Sequence, residues 1–246
     1  MTRSQPSVQL YTVREALEAD LQGTLERIAG MGFTLVEPYN FTAFGGLGSA
    51  LRAAGLTAPT THAHFVGRDA GSVFAAAREL GIGTVIEPYV EPERWRSLES
   101  VRAVAAELGA AAKVGAQHGV RVGYHNHSHE LSILLEGRPA LEVFADALDD
   151  AVMLEVDTYW VAVAGQDPVT VLDNLGGRVQ ALHIKDGPGT PDTKDQVAVG
   201  AGSLAIWDII ASAPDALRVI ELDDSRGDRF QAIADSLAFL TTGTAA

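Results

Sequence analysis

The chain has 246 residues, 47% hydrophobic and 20% charged, with no cysteine and a formal net charge of −14. That composition describes a soluble globular protein without a disulfide framework, and its acid excess repels phosphate backbones, so nucleic acid is not an expected partner. No apolar run approaches the ~20 residues of a membrane span, and residues 1–7 lack the hydrophobic block of a secretory leader, so a cytoplasmic protein without a membrane partner is expected.

Taken in chain order, short β-branched or apolar runs fall at residues 7–11, 34–38, 59–64, 84–88, 121–125, 152–157, 180–185 and 218–223, with Ala/Leu-rich helical patterns between them. After the first run, Leu21, Leu25 and Ile28 recur on one helical stripe and Gly32 supplies a left-handed stop. After the sixth, Asp167-Pro168 reads as N-cap and first helical residue, and Gly176-Gly177 ends the helix. Eight such units without a break in composition predict an α/β fold, a single (β/α)8 TIM barrel forming one domain over residues 1–246. An open doubly wound sheet is the runner-up, but the first βα turn has no Gly-x-Gly-x-x-Gly pattern. Val36-Glu37-Pro38-Tyr39 and Ile86-Glu87-Pro88-Tyr89 echo each other at the ends of the second and fourth runs. The Gly-, Pro- and Thr-rich segment 187–202 reads as an active-site loop or lid. Its Gly200-Ala201-Gly202-Ser203 end reads as a loop-to-helix cap, with a phosphate cradle as the alternative.

Strand side chains alternate with period two, so one inward residue assigns the rest. His183 and Lys185 point inward together, as do Glu221 with Asp223, Glu155 with Asp157, and His62 with His64. Arg121, Gly123, His125 and His127 share a phase, whereas Glu130 belongs to the opposite one unless the chain bends after His127. Glu130, Asp157, His183 and Glu221 follow four successive runs. Three carboxylates and an imidazole suit one divalent ion, Mn²⁺ first, with Mg²⁺, Co²⁺ or Zn²⁺ as alternatives. So many inward charges without a cation would be costly to bury.

Residues 124–130 (Tyr-His-Asn-His-Ser-His-Glu), 154–160 (Leu-Glu-Val-Asp-Thr-Tyr-Trp), 178–186 (ending His-Ile-Lys-Asp) and 219–223 (Val-Ile-Glu-Leu-Asp) resemble the xylose-isomerase-like sugar phosphate isomerase/epimerase family. The resemblance implies a TIM barrel holding a divalent metal through Glu130, Asp157, His183 and Glu221, with Lys185 inward beside them. Tyr-His-Asn-His stands where many relatives carry their first metal glutamate, which leaves His125 and His127 as substitutes for Glu130. The implied chemistry is proton transfer next to a carbonyl, through a metal-stabilised enediolate, in a sugar or sugar phosphate. Glu221 is the expected ligand and base, Glu130 its catalytic partner, and Lys185 the group holding a substrate oxygen. His64 and His127 are expected to orient hydroxyls; Glu37, His62, Glu87 and Trp160 join His64 in recognising the sugar. A keto-sugar or inosose dehydratase using the same chemistry is the alternative; an apurinic endonuclease-like enzyme and a noncatalytic sugar-binding barrel are weaker ones. A small sugar or keto-sugar is the expected partner, and a homo-oligomer is compatible with the sequence.

Overall fold

In the computed structural model, residues 5–243 are described; the first four and last three residues, including most of the segment read above for a leader, lie outside them. Eight parallel strands occur at β1 Ser7–Gln9, β2 Leu35–Glu37, β3 Thr60–His62, β4 Thr84–Glu87, β5 Arg121–His125, β6 Val152–Asp157, β7 Val179–Ile184 and β8 Leu217–Ile220. Neighbours in sequence are neighbours in the sheet, and β8 pairs with β1. Isolated parallel bridges Leu35↔Thr57 and Tyr39↔His62 join the two remaining edges. The result is a nearly closed (β/α)8 barrel with helices outside, as the alternating pattern requires.

Alternation along the strands separates two kinds of interior. Val8, Val36, Val85, Val122, Leu154, Val156, Leu182, Ile184 and Ile220 belong to the large apolar core shared with the helices. Inside the barrel, Ile86, Met153 and Ala181 form a separate small cluster. Ile86 and Met153 flank Gly123 in the strand register, and a Cβ at Gly123 would collide with the Met153 sulfur. The missing side chain lets Met153 fill this lower layer. The other inward residues are polar and buried: Gln9, Glu37, His62, His125, Glu155 and His183.

Local signals act where the sequence places them. The Asp167 carboxylate accepts from Thr170 N–H at the start of helix Pro168–Leu175, and Gly32 has φ 104° just beyond helix Leu21–Gly30. Several strands are shorter than expected. After β1 the chain turns at once into a 3-10 helix, Leu10–Val13, with Gln9 Oε1 accepting from Tyr11 N–H; thus His64, Lys185 and Glu221 lie just beyond strand ends, on loops.

Candidate active site

Asp157, His183 and Glu221 present ligand atoms within 4.8 Å of one another, all buried, at the carboxyl ends of β6, β7 and β8. Asp157 is also the N-cap of helix Thr158–Val163: Oδ1 accepts from Trp160 N–H, which leaves Oδ2 for the site. Asn126 ties the ends of β5 and β6 together, its Oδ1 accepting from Asp157 N–H at 3.0 Å. His183 is held from both sides, Nδ1 2.8 Å from Glu221 Oε2 and Nε2 2.7 Å from Glu37 Oε1. The Lys185 ammonium lies 2.8 Å from Asp157, 2.8 Å from Glu221 and 2.7 Å from Asp223. Lys185 is therefore an internal counter-ion, 5.7 Å from the Trp160 ring centre, and does not line the main cavity.

Electrostatics follow from burial and these partners. Burial opposes charge on Lys185, but Asp157, Asp223 and Glu221 outweigh it and hold its pKa well above the ordinary lysine value. Burial also works against the Glu221 carboxylate, yet Lys185 and His183 prevail and keep its pKa well below the usual range. Asp157 is pushed up to about 6 by burial, against the pull of Lys185. The ordinary cost of burying a carboxylate thus stays largely uncompensated at Asp157. Three carboxylates face a single ammonium here, an excess of negative charge with an imidazole alongside. Such a donor set fits a divalent cation of the Mn²⁺, Mg²⁺ or Co²⁺ type.

Beneath lies the polar layer. Glu155 Oε2 is 2.6 Å from His62 Nε2, 3.1 Å from His125 Nδ1 and 3.1 Å from His183 Nε2. His62 stacks on His183 with ring centres 5.0 Å apart. His62, His125, Glu155 and His183 are likewise close enough to surround an ion; His62 and His125 are bonded to Glu155, as His183 is to Glu37 and Glu221. His125 Nδ1 is taken by Glu155, while Nε2 lies 3.8 Å from Asp157 Oδ2. Burial, followed by the charge on His183, lowers the His125 pKa to about 3, so it stays a neutral imidazole.

Glu130 does not join the three. The chain leaves β5 and turns into the short helix His129–Ser132, carrying Glu130 toward Tyr124, a residue of the helix-facing core. There Oε1 accepts from Tyr124 OH at 2.6 Å and Oε2 from His127 N–H at 2.9 Å. This realises the opposite phase read from the sequence, because the bend after His127 does not bring the carboxylate inside. Burial raises its pKa to about 7.

Above the cluster opens a cavity of about 560 Å³, lined among others by Tyr11, Tyr39, His62, His64, Arg68, Tyr89, His125, His127, Glu221 and Asp223. Of the expected recognition residues, His62, His64 and His127 line it, whereas Glu37, Glu87 and Trp160 do not. The Glu-Pro-Tyr echo is half realised: Tyr39 and Tyr89 both reach the cavity, but the glutamates diverge. Glu37 faces the barrel interior, where Gln9 Nε2 donates to it at 2.9 Å; Glu87 has the opposite strand phase from inward Ile86 and binds the chain after β3. Arg68 and Asp69 escaped the sequence reading because they sit on a loop, where no periodicity marks direction, and Tyr11 because the first run turns into a 3-10 helix after Gln9. Asp223 was visible as an inward residue.

The segment after β7 is not a lid over this cavity, since none of residues 187–202 lines it. Nor are its glycine N–H groups a phosphate cradle. Asp186 accepts from the N–H groups of Gly187, Gly200, Gly202 and Leu204, so those donors are already satisfied. The segment supports the site from behind: Gln196 Nε2 donates to Asp223 Oδ2 at 2.8 Å and Gln196 Oε1 accepts from Asp223 N–H at 2.7 Å.

Solved structures share this architecture. A sugar phosphate isomerase/epimerase from Parabacteroides distasonis ATCC 8503 superposes with a TM-score of 0.80 at 24% identity, covering 97% of this chain and 93% of its own. The probable 3-DHS dehydratase AsbF from Bacillus anthracis gives a TM-score of 0.71 at 15% identity, with 96% of this chain and 98% of that one covered. IolI, solved with a zinc atom, gives 0.72 at 15% identity over 96% of both chains. At these identities the likeness is one of fold. No curated protein matches the sequence. No helix among the described residues is long and apolar enough to cross a membrane. The family model described as xylose isomerase-like TIM barrel matches residues 5–242, and the chain belongs to that family.

Proposed function

We propose that the chain, acting as one domain, is a divalent-metal-dependent sugar isomerase or epimerase that moves a proton beside a substrate carbonyl. The observation that carries this reading is the convergence of Asp157, His183 and Glu221 beside a cavity of about 560 Å³, a volume typical of small-molecule sites. Those three residues would hold the ion. His125, with Nε2 turned toward Asp157 and Nδ1 fixed by Glu155, replaces Glu130 as the β5 donor, because neutral imidazoles oriented by a carboxylate are the usual metal-binding form. Mn²⁺ is the first ion to test for this set of two carboxylates and two imidazoles, with Zn²⁺, which imidazole also suits, beside it. When bound, the ion supplies positive charge where negative charge develops on oxygen.

The chain's own groups supply the rest. Glu221 is kept ionised by Lys185 and His183 and borders the cavity, so its carboxylate is the base that removes the C–H proton. Lys185 holds Asp157, Glu221 and Asp223 in place and offsets part of their mutual repulsion. His62 and His127 meet substrate hydroxyls, while Tyr11, Tyr39 and Tyr89 offer ring faces and hydroxyls suited to a sugar. Likeness to a sugar phosphate isomerase/epimerase supports the substrate class. The test is deuterium uptake from D₂O into a panel of free ketoses, keto-inositols and keto-glycosides, with Mn²⁺ or after chelation, for wild type and Glu221→Gln. Metal-dependent uptake lost in the variant is expected; no uptake across the panel, with Mn²⁺ shown to bind, would sink the reading.

A further inference from the structure

The carbon side of this reaction has a base in Glu221, but the oxygen side needs a proton carrier as well. His64 stands just beyond β3 with its side chain 46% exposed, while its partner Glu87 is 1% exposed. Both line up in one short network. Glu87 Oε2 accepts from Phe65 N–H and Val66 N–H, each at 2.8 Å, and Oε1 lies 2.6 Å from His64 Nδ1. The two oxygens thus divide their work: one holds the turn after β3, the other serves the imidazole alone. Since a carboxylate can only accept, His64 Nδ1 is the donor. Nε2 is left without a protein partner among the described residues, on a side chain that lines the same cavity as Glu221 and Asp223. A histidine needed only for packing would not be half exposed, and the turn would be held by Glu87 without it.

We propose that His64 is the catalytic acid–base for substrate oxygen and that Glu87 is its positioning residue. The inference rests on the proton-transfer reading above. When Glu221 takes the proton from carbon, the C–H electron pair becomes the C=C bond of the enediolate. To complete an isomerisation, the neighbouring hydroxyl must lose its proton and the former carbonyl oxygen must gain one. His64 Nε2 accepts the first, the positive charge on the ring being countered by Glu87 through Nδ1–H, and Nε2–H then delivers it to the second oxygen. The second carbon recovers the proton from Glu221, so atoms and charge balance without a further reactant. His64 thus acts at oxygen and Glu221 at carbon, the two lining the same cavity from just beyond β3 and β8.

The test uses the full chain with Mn²⁺ and whichever panel ketone the wild type exchanges. His64→Ala and His64→Asn are expected to lower kcat for net product by about 10²-fold or more, with KM within about threefold, while deuterium uptake at the carbon beside the carbonyl persists. Added imidazole restores part of the turnover of His64→Ala and none of that of Glu87→Gln, whose thermal midpoint controls for folding. Turnover of His64→Ala within threefold of wild type, a change in KM alone, or equal loss of carbon exchange and product would overturn the assignment while leaving the proton-transfer reading standing. Wild type that exchanges no panel member overturns both.

Discussion

Glu130 provides a pH-dependent test of the buried geometry behind β5. Burial raises its pKa to about 7, although Tyr124 OH and His127 N–H both donate to the carboxylate. The group's ordinary value is 4.5, so the folded state binds this proton more tightly than the unfolded chain. Its stabilising contribution is therefore complete below pH 4.5 and is lost as pH rises through about 7, amounting to about 3 kcal/mol. Glu130→Gln keeps one acceptor and an amide in the same volume but does not titrate. In urea unfolding with chelator present, the stability of the variant minus that of wild type is expected to move by about 3 kcal/mol in the variant's favour between pH 4.5 and pH 8. Subtracting wild type cancels the titration of groups away from Glu130, which both proteins share. A difference constant to within about 0.5 kcal/mol across that range would refute the desolvated placement of the Glu130 carboxyl.

Three other perturbations probe the site and its supports. Lys185→Met leaves Asp157, Glu221 and Asp223 facing one another without their ammonium, and should destabilise the metal-free protein by about 3–5 kcal/mol; Mn²⁺ should then raise Tm more in the variant than in wild type, and an equal rise would contradict the charge argument. Asp157→Asn removes a charged donor and should weaken Mn²⁺ binding by at least about tenfold in titration calorimetry; unchanged affinity would take Asp157 out of the ion's coordination. Asp186→Ala strips the acceptor from four backbone N–H groups and should cost about 3 kcal/mol in urea unfolding, a loss below about 1 kcal/mol showing that water replaces the carboxylate.

Period-two alternation in the sequence was enough to place Glu155, Asp157, His183, Lys185, Glu221 and Asp223 inside the barrel, because a strand offers only two directions and the opposite face of each run is plainly apolar. The eight-unit pattern carried the architecture for the same reason: each unit has one apolar face to bury, and repetition leaves few ways to bury all of them. Loops carry no such restriction. Nothing local to Glu130 says that the chain after His127 coils back to hand its carboxylate to Tyr124, so its motif position beside a metal set did not reveal its contacts. Glu37 and Glu87 open identical Glu-Pro-Tyr tripeptides, yet the register of β2 and β4 against their neighbours sends one to His183 and the other to His64. Asp186 reads as an ordinary residue after a strand and becomes the acceptor for a whole loop only because the chain returns to it 14 to 18 residues later. The sequence by itself determined the barrel, the inward phase of the third, fifth, sixth, seventh and eighth strands and the acid–imidazole character of its mouth, since these follow from short-range periodicity. Which of those groups meet, which carboxylate leaves the cluster and which histidine reaches the cavity were decided by the tertiary structure, because distances between strand ends depend on register and loop path that no local pattern encodes.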